Sequence, residues 1–180
     1  VLYDGWFGHR NGDNSSLGDW FVDKNKLPNG LKGLSDKIKQ EGMKLGLWFE
    51  PEMISEDSEL FRAHPDWVLG VENRNLSLGR NQYVLDLSRK EVRDYIIEIV
   101  SERLTEGNIS YVKWDMNRNM TEIPKKDTAH KYILGLYEIL EEITKRFPHV
   151  LFESCASGGG RFDTGMLYYM PQTWASDNTD

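Results

Sequence analysis

The sequence predicts an α/β protein built from parallel βα units. Two patterns carry that prediction. Short apolar and aromatic runs of strand length alternate with amphipathic segments of helical spacing. The apolar runs also end in charged or reactive residues, as strands do when their C-terminal ends line a site. With 180 residues and 39% hydrophobic content, the chain is long enough for one domain with a sizeable core.

Residues 1–4 read as the end of a strand, followed by a loop rich in Gly, Asn, Asp and Ser through Asp19. Leu31, Leu34 and Ile38 have helical spacing within 31–40, and Gly42 is placed to stop that helix. KLGLWFE, residues 44–50, reads as a strand that Pro51 ends. A short helix is expected over 57–63 before Pro65, and an extra strand over 82–87 within a long loop. Ser88 and Glu91 match an S-x-x-E capping box. Behind them Val92, Tyr95, Ile96, Ile99, Val100 and Leu104 form one apolar helical face, with Gly107 as its stop. A strand over 109–115, a helix over 127–147, a strand over 149–155 and a last strand near 172–176 complete the pattern.

The candidate strand ends are Asp4, Glu50, Asp115, Cys155 and Asp177. In a (β/α) barrel the active site is built at the C-terminal strand ends, and these polar ends match that rule. Five strands are not eight, so a full barrel requires further strands on both sides. The chain starts at Val1 inside a strand-like run and stops at Asp180 inside a motif, so it is expected to be a piece of a longer protein.

Composition excludes several function classes. A net charge of −7 argues against nucleic acid as the main partner, because neutralising phosphates needs a basic face. No apolar run approaches the roughly 18 residues of a membrane span. A single cysteine, Cys155, rules out an internal disulfide and fits a reducing compartment. The four histidines are scattered without ligand spacing, so no metal site is expected.

The run ISYVKWDMNR, residues 109–118, ends a buried strand in charge. Period two puts Lys113 and Asp115 on one side. Asp115 reads either as a nucleophile kept ionised by Lys113 or as half of a structural ion pair. Asp177, in SDNTD with Asp180 beyond it, reads either as a proton donor or as part of a turn that caps a helix. CASGGGR, residues 155–161, reads either as backbone brought close to a ligand or as a tight turn. It lacks the glycine spacing of phosphate loops. Cys155 has no histidine partner and reads as a buried thiol lining a pocket. Trp48, on one side of its strand with Glu50, is either a sugar-stacking or a core residue. Arg80 reads as a loop arginine. Tryptophans close to acidic residues suit a sugar, which has both C–H faces and hydroxyl edges.

Together VLYDGWFGHRN, GLWFEPEMI, YVKWDMNR, FESCASGGGRFD and PQTWASDNTD resemble the α-galactosidases of glycoside hydrolase family 36, in order and over essentially the whole chain. The resemblance implies a (β/α)8 TIM barrel, of which residues 1–180 are the central part, about strands 2–6. Flanking β-domains and the remaining strands would lie outside it. It implies retaining cleavage of terminal α-galactosides of the melibiose and raffinose type, with Asp115 as nucleophile and Asp177 as acid/base. It places sugar contacts at Asp4, Trp48, Arg80, Lys113, Asn117, Cys155 and Gly158. No metal or organic cofactor, nucleic acid or membrane is implied, and the parent protein is expected to be a cytoplasmic, bacterial homo-oligomer. The segment alone is expected to be inactive. One position departs from the family: Tyr3 stands where LDDGWFG has an aspartate. A phenol is bulkier and a poorer acceptor than a carboxylate. The alternatives this leaves are a galactosyl transferase of the raffinose-synthase type and a sugar-binding pseudoenzyme.

Overall fold

Parallel pairing organises the chain. The computed structural model describes residues 1–178. The helix α1 (Gly30–Gln40) leads into β1 (Gly46–Phe49), and a short strand β2 (Met53–Ser55) follows. Next come α2 (Glu59–Ala63), a single 3-10 turn (Pro65–Trp67) and β3 (Gln82–Val84). The long helix α3 (Lys90–Glu106) precedes β4 (Tyr111–Trp114), and α4 (Thr128–Arg146) precedes β5 (Leu151–Ser154). The short α5 (Thr164–Tyr169) and β6 (Gln172–Thr173) close the described chain.

The strands β1, β4, β5 and β6 lie side by side in that order, and each pair is parallel. Parallel neighbours need crossover connections, and α3 and α4 supply two of them. Leu2 adds one parallel bridge to Leu47, as the strand end read at residues 1–4 requires. An α/β architecture with a parallel sheet is therefore what forms. The run at 82–87 is a strand only over β3, which pairs antiparallel with β2, a strand too short for periodicity to reveal.

The α3 face read from sequence is the face that is buried: Val92, Ile96, Val100 and Leu104 are all nearly inaccessible. They pack beside Leu136, Ile139, Leu140 and Ile143 of α4 in one core. Truncating a fully buried leucine such as Leu136 to alanine costs about 2–5 kcal/mol. Gly135 lets α4 approach closely, since a Cβ there would lie 2.0 Å from the Leu87 carbonyl oxygen.

The expected capping box does not form. The helix begins one residue later than S-x-x-E requires, with Arg89 at the N-cap and no side-chain cap bond. Ser88 instead donates its hydroxyl to Asp86 at 2.6 Å, and Arg89 takes Glu91 at 2.7 Å. The aspartate two residues upstream outcompetes the helix for the serine, because short Asx turns satisfy the same groups locally.

The loop after residue 4 contributes to the core rather than lying on the surface. Trp6, Phe7, Leu17 and Trp20 are buried behind β1. Trp6 meets Phe49 edge-on at 5.3 Å between ring centroids, and Phe7 lies 4.3 Å from Trp20. The Trp6 indole also donates to the Trp48 carbonyl at 3.1 Å. This aromatic wall sets the depth at which the β1 end sits.

Candidate active site

The register of the sheet places the polar strand ends in rows. Trp48, Lys113, Glu153 and Gln172 are direct neighbours across β1, β4, β5 and β6. Side chains alternate along strands, so Glu50, Asp115, Cys155 and Trp174 follow on the same face, one row nearer the C-terminal edge. Backbone bonds continue the ladder there: the amides of Asp115, Cys155 and Trp174 donate to the carbonyls of Phe49, Trp114 and Ser154. Two rows of chemistry-bearing side chains thus share one face and one end of the sheet.

Asp115 is 6% exposed, and its carboxylate is held on both oxygens. The Trp48 indole N–H donates to Oδ2 at 3.0 Å, and the Met116 amide donates to Oδ1 at 2.9 Å. The Cys155 thiol also reaches this carboxylate. Burial, with the Asp115 charge adding to it, pushes the thiol up to about 12, so Cys155 is a neutral donor rather than a nucleophile. Trp48 is buried against Phe7 and Trp20, and it turns its one polar atom towards Asp115.

Lys113 does not form the ion pair with Asp115 that the sequence reading considered. Its ammonium pairs with Glu153 Oε1 at 3.3 Å, because that carboxylate is its direct neighbour across the sheet. Glu153 Oε2 accepts the Tyr111 hydroxyl at 2.6 Å and the Gln172 amide at 2.6 Å. The Lys113 ammonium also lies 3.9 Å from the Trp174 ring centroid and 5.5 Å from that of Tyr3. Burial disfavours the charged lysine, but the Cys155 sulfur, Glu153 and Tyr3 outweigh it and hold Lys113 above its ordinary value.

Glu50 lies beside Asp115 in the row. It accepts the Asn117 amide and, at 3.3 Å, the Gln82 side chain. Burial and then the Asp115 charge push its carboxyl up to about 7, against the pull of the Asn117 amide. Below the rows, the fully buried Glu52 takes Arg161 at 2.7 and 2.9 Å, Tyr132 at 2.6 Å and Trp114 at 2.8 Å. Burial alone would raise Glu52, but Arg161 and these donors overcome it and lower it. This cluster ties β4 and α4 to the end of the glycine turn.

Asp177 is exposed, and its Oδ1 accepts the Trp174 indole N–H at 2.8 Å. The glycine turn touches this segment. Gly158 has φ +84°, and a Cβ there would lie 3.0 Å from Ser176 Cα and 3.3 Å from the Asp177 amide nitrogen. The turn is closed by its own bonds, Ala156 to Gly158 at 2.8 Å and Gly160 to Ala156 at 3.2 Å. The turn is therefore packed closely against the segment that carries Asp177. Asp180 lies outside the described residues.

The remaining predicted positions surround these rows. Asp4 is exposed and takes the Arg10 guanidinium. Asn117 accepts Ser157 Oγ at 3.1 Å, which joins the Asp115 loop to the glycine turn. Arg80 is exposed, at φ +51°, in a loop tethered by Arg118, which donates to the Ser77 carbonyl at 2.6 Å. Sequence reasoning missed Glu153 and the role of Trp174. The period-two rule that put Lys113 beside Asp115 also puts Glu153 beside Cys155. Among the described residues, no group of three or more His, Cys, Asp or Glu side chains is placed to hold a metal ion. No helix among them is long and apolar enough to cross a membrane.

A family model described as Melibiase matches residues 1–180. The chain belongs to the melibiase family. It is 62% identical to alpha-galactosidase AgaA of Geobacillus stearothermophilus, covering 100% of this chain and 26% of that protein. It is 53% identical to alpha-galactosidase Mel36A of Lactobacillus acidophilus, with the same coverage. Against the crystal structure of GH36 alpha-galactosidase AgaA, the TM-score is 0.96 at 61% identity, covering 99% of this chain and 26% of that one. A variant of that enzyme in complex with stachyose gives a TM-score of 0.97 with the same identity and coverage. The chain thus spans about a quarter of the length of the curated melibiase relatives it matches.

Proposed function

We propose that this chain is the central part, about strands 2–6, of a (β/α)8 catalytic barrel. The parent protein would be a retaining hydrolase that removes terminal α-linked galactose from oligosaccharides of the melibiose and raffinose type. Family membership supports the reaction class, and relatives solved with stachyose and raffinose support the substrate class. The parallel order β1-β4-β5-β6, with crossover helices and a coverage of 26% of AgaA, supports the central-barrel reading.

The observation that carries the reading is the environment of Asp115. A buried carboxylate at a strand end, with donors aimed at both oxygens, suits a nucleophile that must be oriented yet remain ionised. In the proposed reaction, Asp115 attacks the anomeric carbon and forms a β-galactosyl ester as the leaving oxygen departs. Asp177 gives that oxygen a proton, then takes one from the water that cleaves the ester. Asp4, Arg80, Asn117 and Lys113 would hold sugar hydroxyls, while Trp48, Cys155 and Gly158 shape the floor.

The test uses the full-length parent with a nitrophenyl α-galactoside. Asp115→Ala is expected to abolish turnover, and NMR is expected to show α-galactose as the first product. Retention requires carboxyl groups about 5–5.5 Å apart, inversion about 6.5–9.5 Å. Turnover that survives Asp115→Ala, or β-galactose as the first product, rejects the mechanism. Adding sucrose separates hydrolysis from transfer: a galactosylated sucrose as main product identifies a transferase.

A further inference from the structure

Four side chains form a continuous chain of contacts from the interior of the sheet to Asp177. Glu153 is buried and holds the Lys113 ammonium at 3.3 Å. That ammonium sits 3.9 Å from the centroid of the Trp174 ring. The Trp174 indole N–H donates to Asp177 at 2.8 Å. The order follows from the register, since Lys113, Glu153 and Gln172 share one row and Trp174 lies two residues beyond Gln172 on the same face.

The direction of support runs outward. Glu153 is fixed by Tyr111 and Gln172 as well as by Lys113, so it is a rigid anchor. Asp177 is exposed, follows a strand of only two residues and rests on the glycine turn. A carboxyl group on such a segment needs a brace to keep one orientation. A cation over an indole face provides a directional attraction, strongest for tryptophan. The groups facing the ammonium are Glu153 and Cys155 from β5 and its end, Tyr3 from the first strand end, and Trp174.

We propose that Glu153, Lys113 and Trp174 form a brace that orients the Asp177 carboxyl, with Glu153 and Trp174 acting as positioning residues for proton transfer to the leaving group. The proposal rests on the assignment of Asp177 as acid/base.

Leaving-group dependence provides the test. Expelling a sugar alkoxide needs a proton, whereas expelling a dinitrophenolate does not. The value of kcat/KM covers the steps up to formation of the covalent intermediate, so it isolates that proton transfer from the later hydrolysis. In the full-length parent, Trp174→Phe keeps the aromatic face for Lys113 and removes the donor to Asp177. Glu153→Gln removes the charge that anchors Lys113. Both are expected to lower kcat/KM on melibiose about 10- to 100-fold, a fraction of what general acid catalysis supplies. On a dinitrophenyl α-galactoside both are expected to lose less than about 3-fold.

A purely structural role would lower both substrates equally, and that result overturns the brace. So does an unchanged kcat/KM on melibiose, or a failure of both variants to fold in thermal melts. If only one folds, the other carries the test alone. A wild-type protein inactive on both substrates instead rejects the underlying function, so the two failures are distinguishable.

Discussion

The Trp48 indole N–H donates to Asp115 Oδ2 at 3.0 Å across the neighbouring strands β1 and β4. A tryptophan buried for packing also orients the carboxylate of the site. Its ring is held by Phe7 and Trp20, so the N–H has little freedom to point elsewhere.

Trp48→Phe keeps most of that packing and removes the donor. Hydrogen bonds to charged groups contribute about 1.5–3 kcal/mol. The expected result is a fall in kcat of roughly 10- to 100-fold, with KM changed less than about 3-fold. Steady-state kinetics on a nitrophenyl α-galactoside checks it. An unchanged kcat would mean that Met116 and Cys155 alone suffice to orient Asp115.

Gly158 is the point where the glycine turn meets the Asp177 segment. Alanine there must adopt φ +84° and place its Cβ 3.0 Å from Ser176 Cα. The left-handed backbone costs about 1–2 kcal/mol, and the segment must shift. Displacement of a catalytic group by about 1 Å can cost about 100-fold in rate. Gly158→Ala is therefore expected to lose about 10-fold or more in kcat/KM while melting only a few degrees lower. A large drop in melting temperature without specific kinetic loss would contradict this.

Glu50 makes stability depend on pH in a defined direction. Its folded carboxyl is pushed up to about 7 by burial, against 4.5 for an ordinary glutamate. Because the folded value is the higher one, this stability is fully present below about 4.5 and is lost as pH rises through about 7. The size is on the order of 3 kcal/mol. Glu50→Gln removes the titration and can still accept the Asn117 amide. Thermal melts at about pH 5 and pH 8 are expected to differ less for Glu50→Gln than for the wild type. An equal pH dependence in both proteins would rule Glu50 out as its source.

Tyr3 lies with its ring centroid 5.5 Å from the Lys113 ammonium, half-exposed at the end of the first strand. Tyr3→Asp would place a carboxylate beside that ammonium and free the space taken by the ring. A carboxylate accepts two hydroxyl bonds where the phenol is a weaker acceptor. The expected outcome is a rise in kcat/KM on melibiose of roughly 10-fold, the value of one added charged hydrogen bond. A fall would show that the tyrosine is an adapted part of the pocket.

Much of this protein was legible without coordinates. The buried face of α3 follows from Val92, Ile96, Val100 and Leu104, because helical periodicity is a local property of the chain. The strands β1, β4 and β5 follow from apolar runs, and Asp115 and Cys155 follow as polar residues at strand ends, whereas the last strand stops at Thr173, short of the expected 172–176, and leaves Asp177 on the segment beyond it. Other features were not legible. The strand β2 is three residues long and exists only because β3 pairs with it. Ser88 matched a capping pattern, yet Asp86 took its hydroxyl, a competition that the pattern does not encode.

The sequence by itself determined the alternation of the main strands and helices and the family, and it singled out Asp115 and Asp177 as candidates, because these depend on local spacing and residue identity. Only the tertiary structure decided the partners. Lys113 pairs with Glu153 rather than Asp115, and Trp48 gives its N–H to Asp115 from a distant part of the chain. Those choices depend on which strands are neighbours and in what register. Long-range pairing sets both, and residues adjacent along the chain cannot report them.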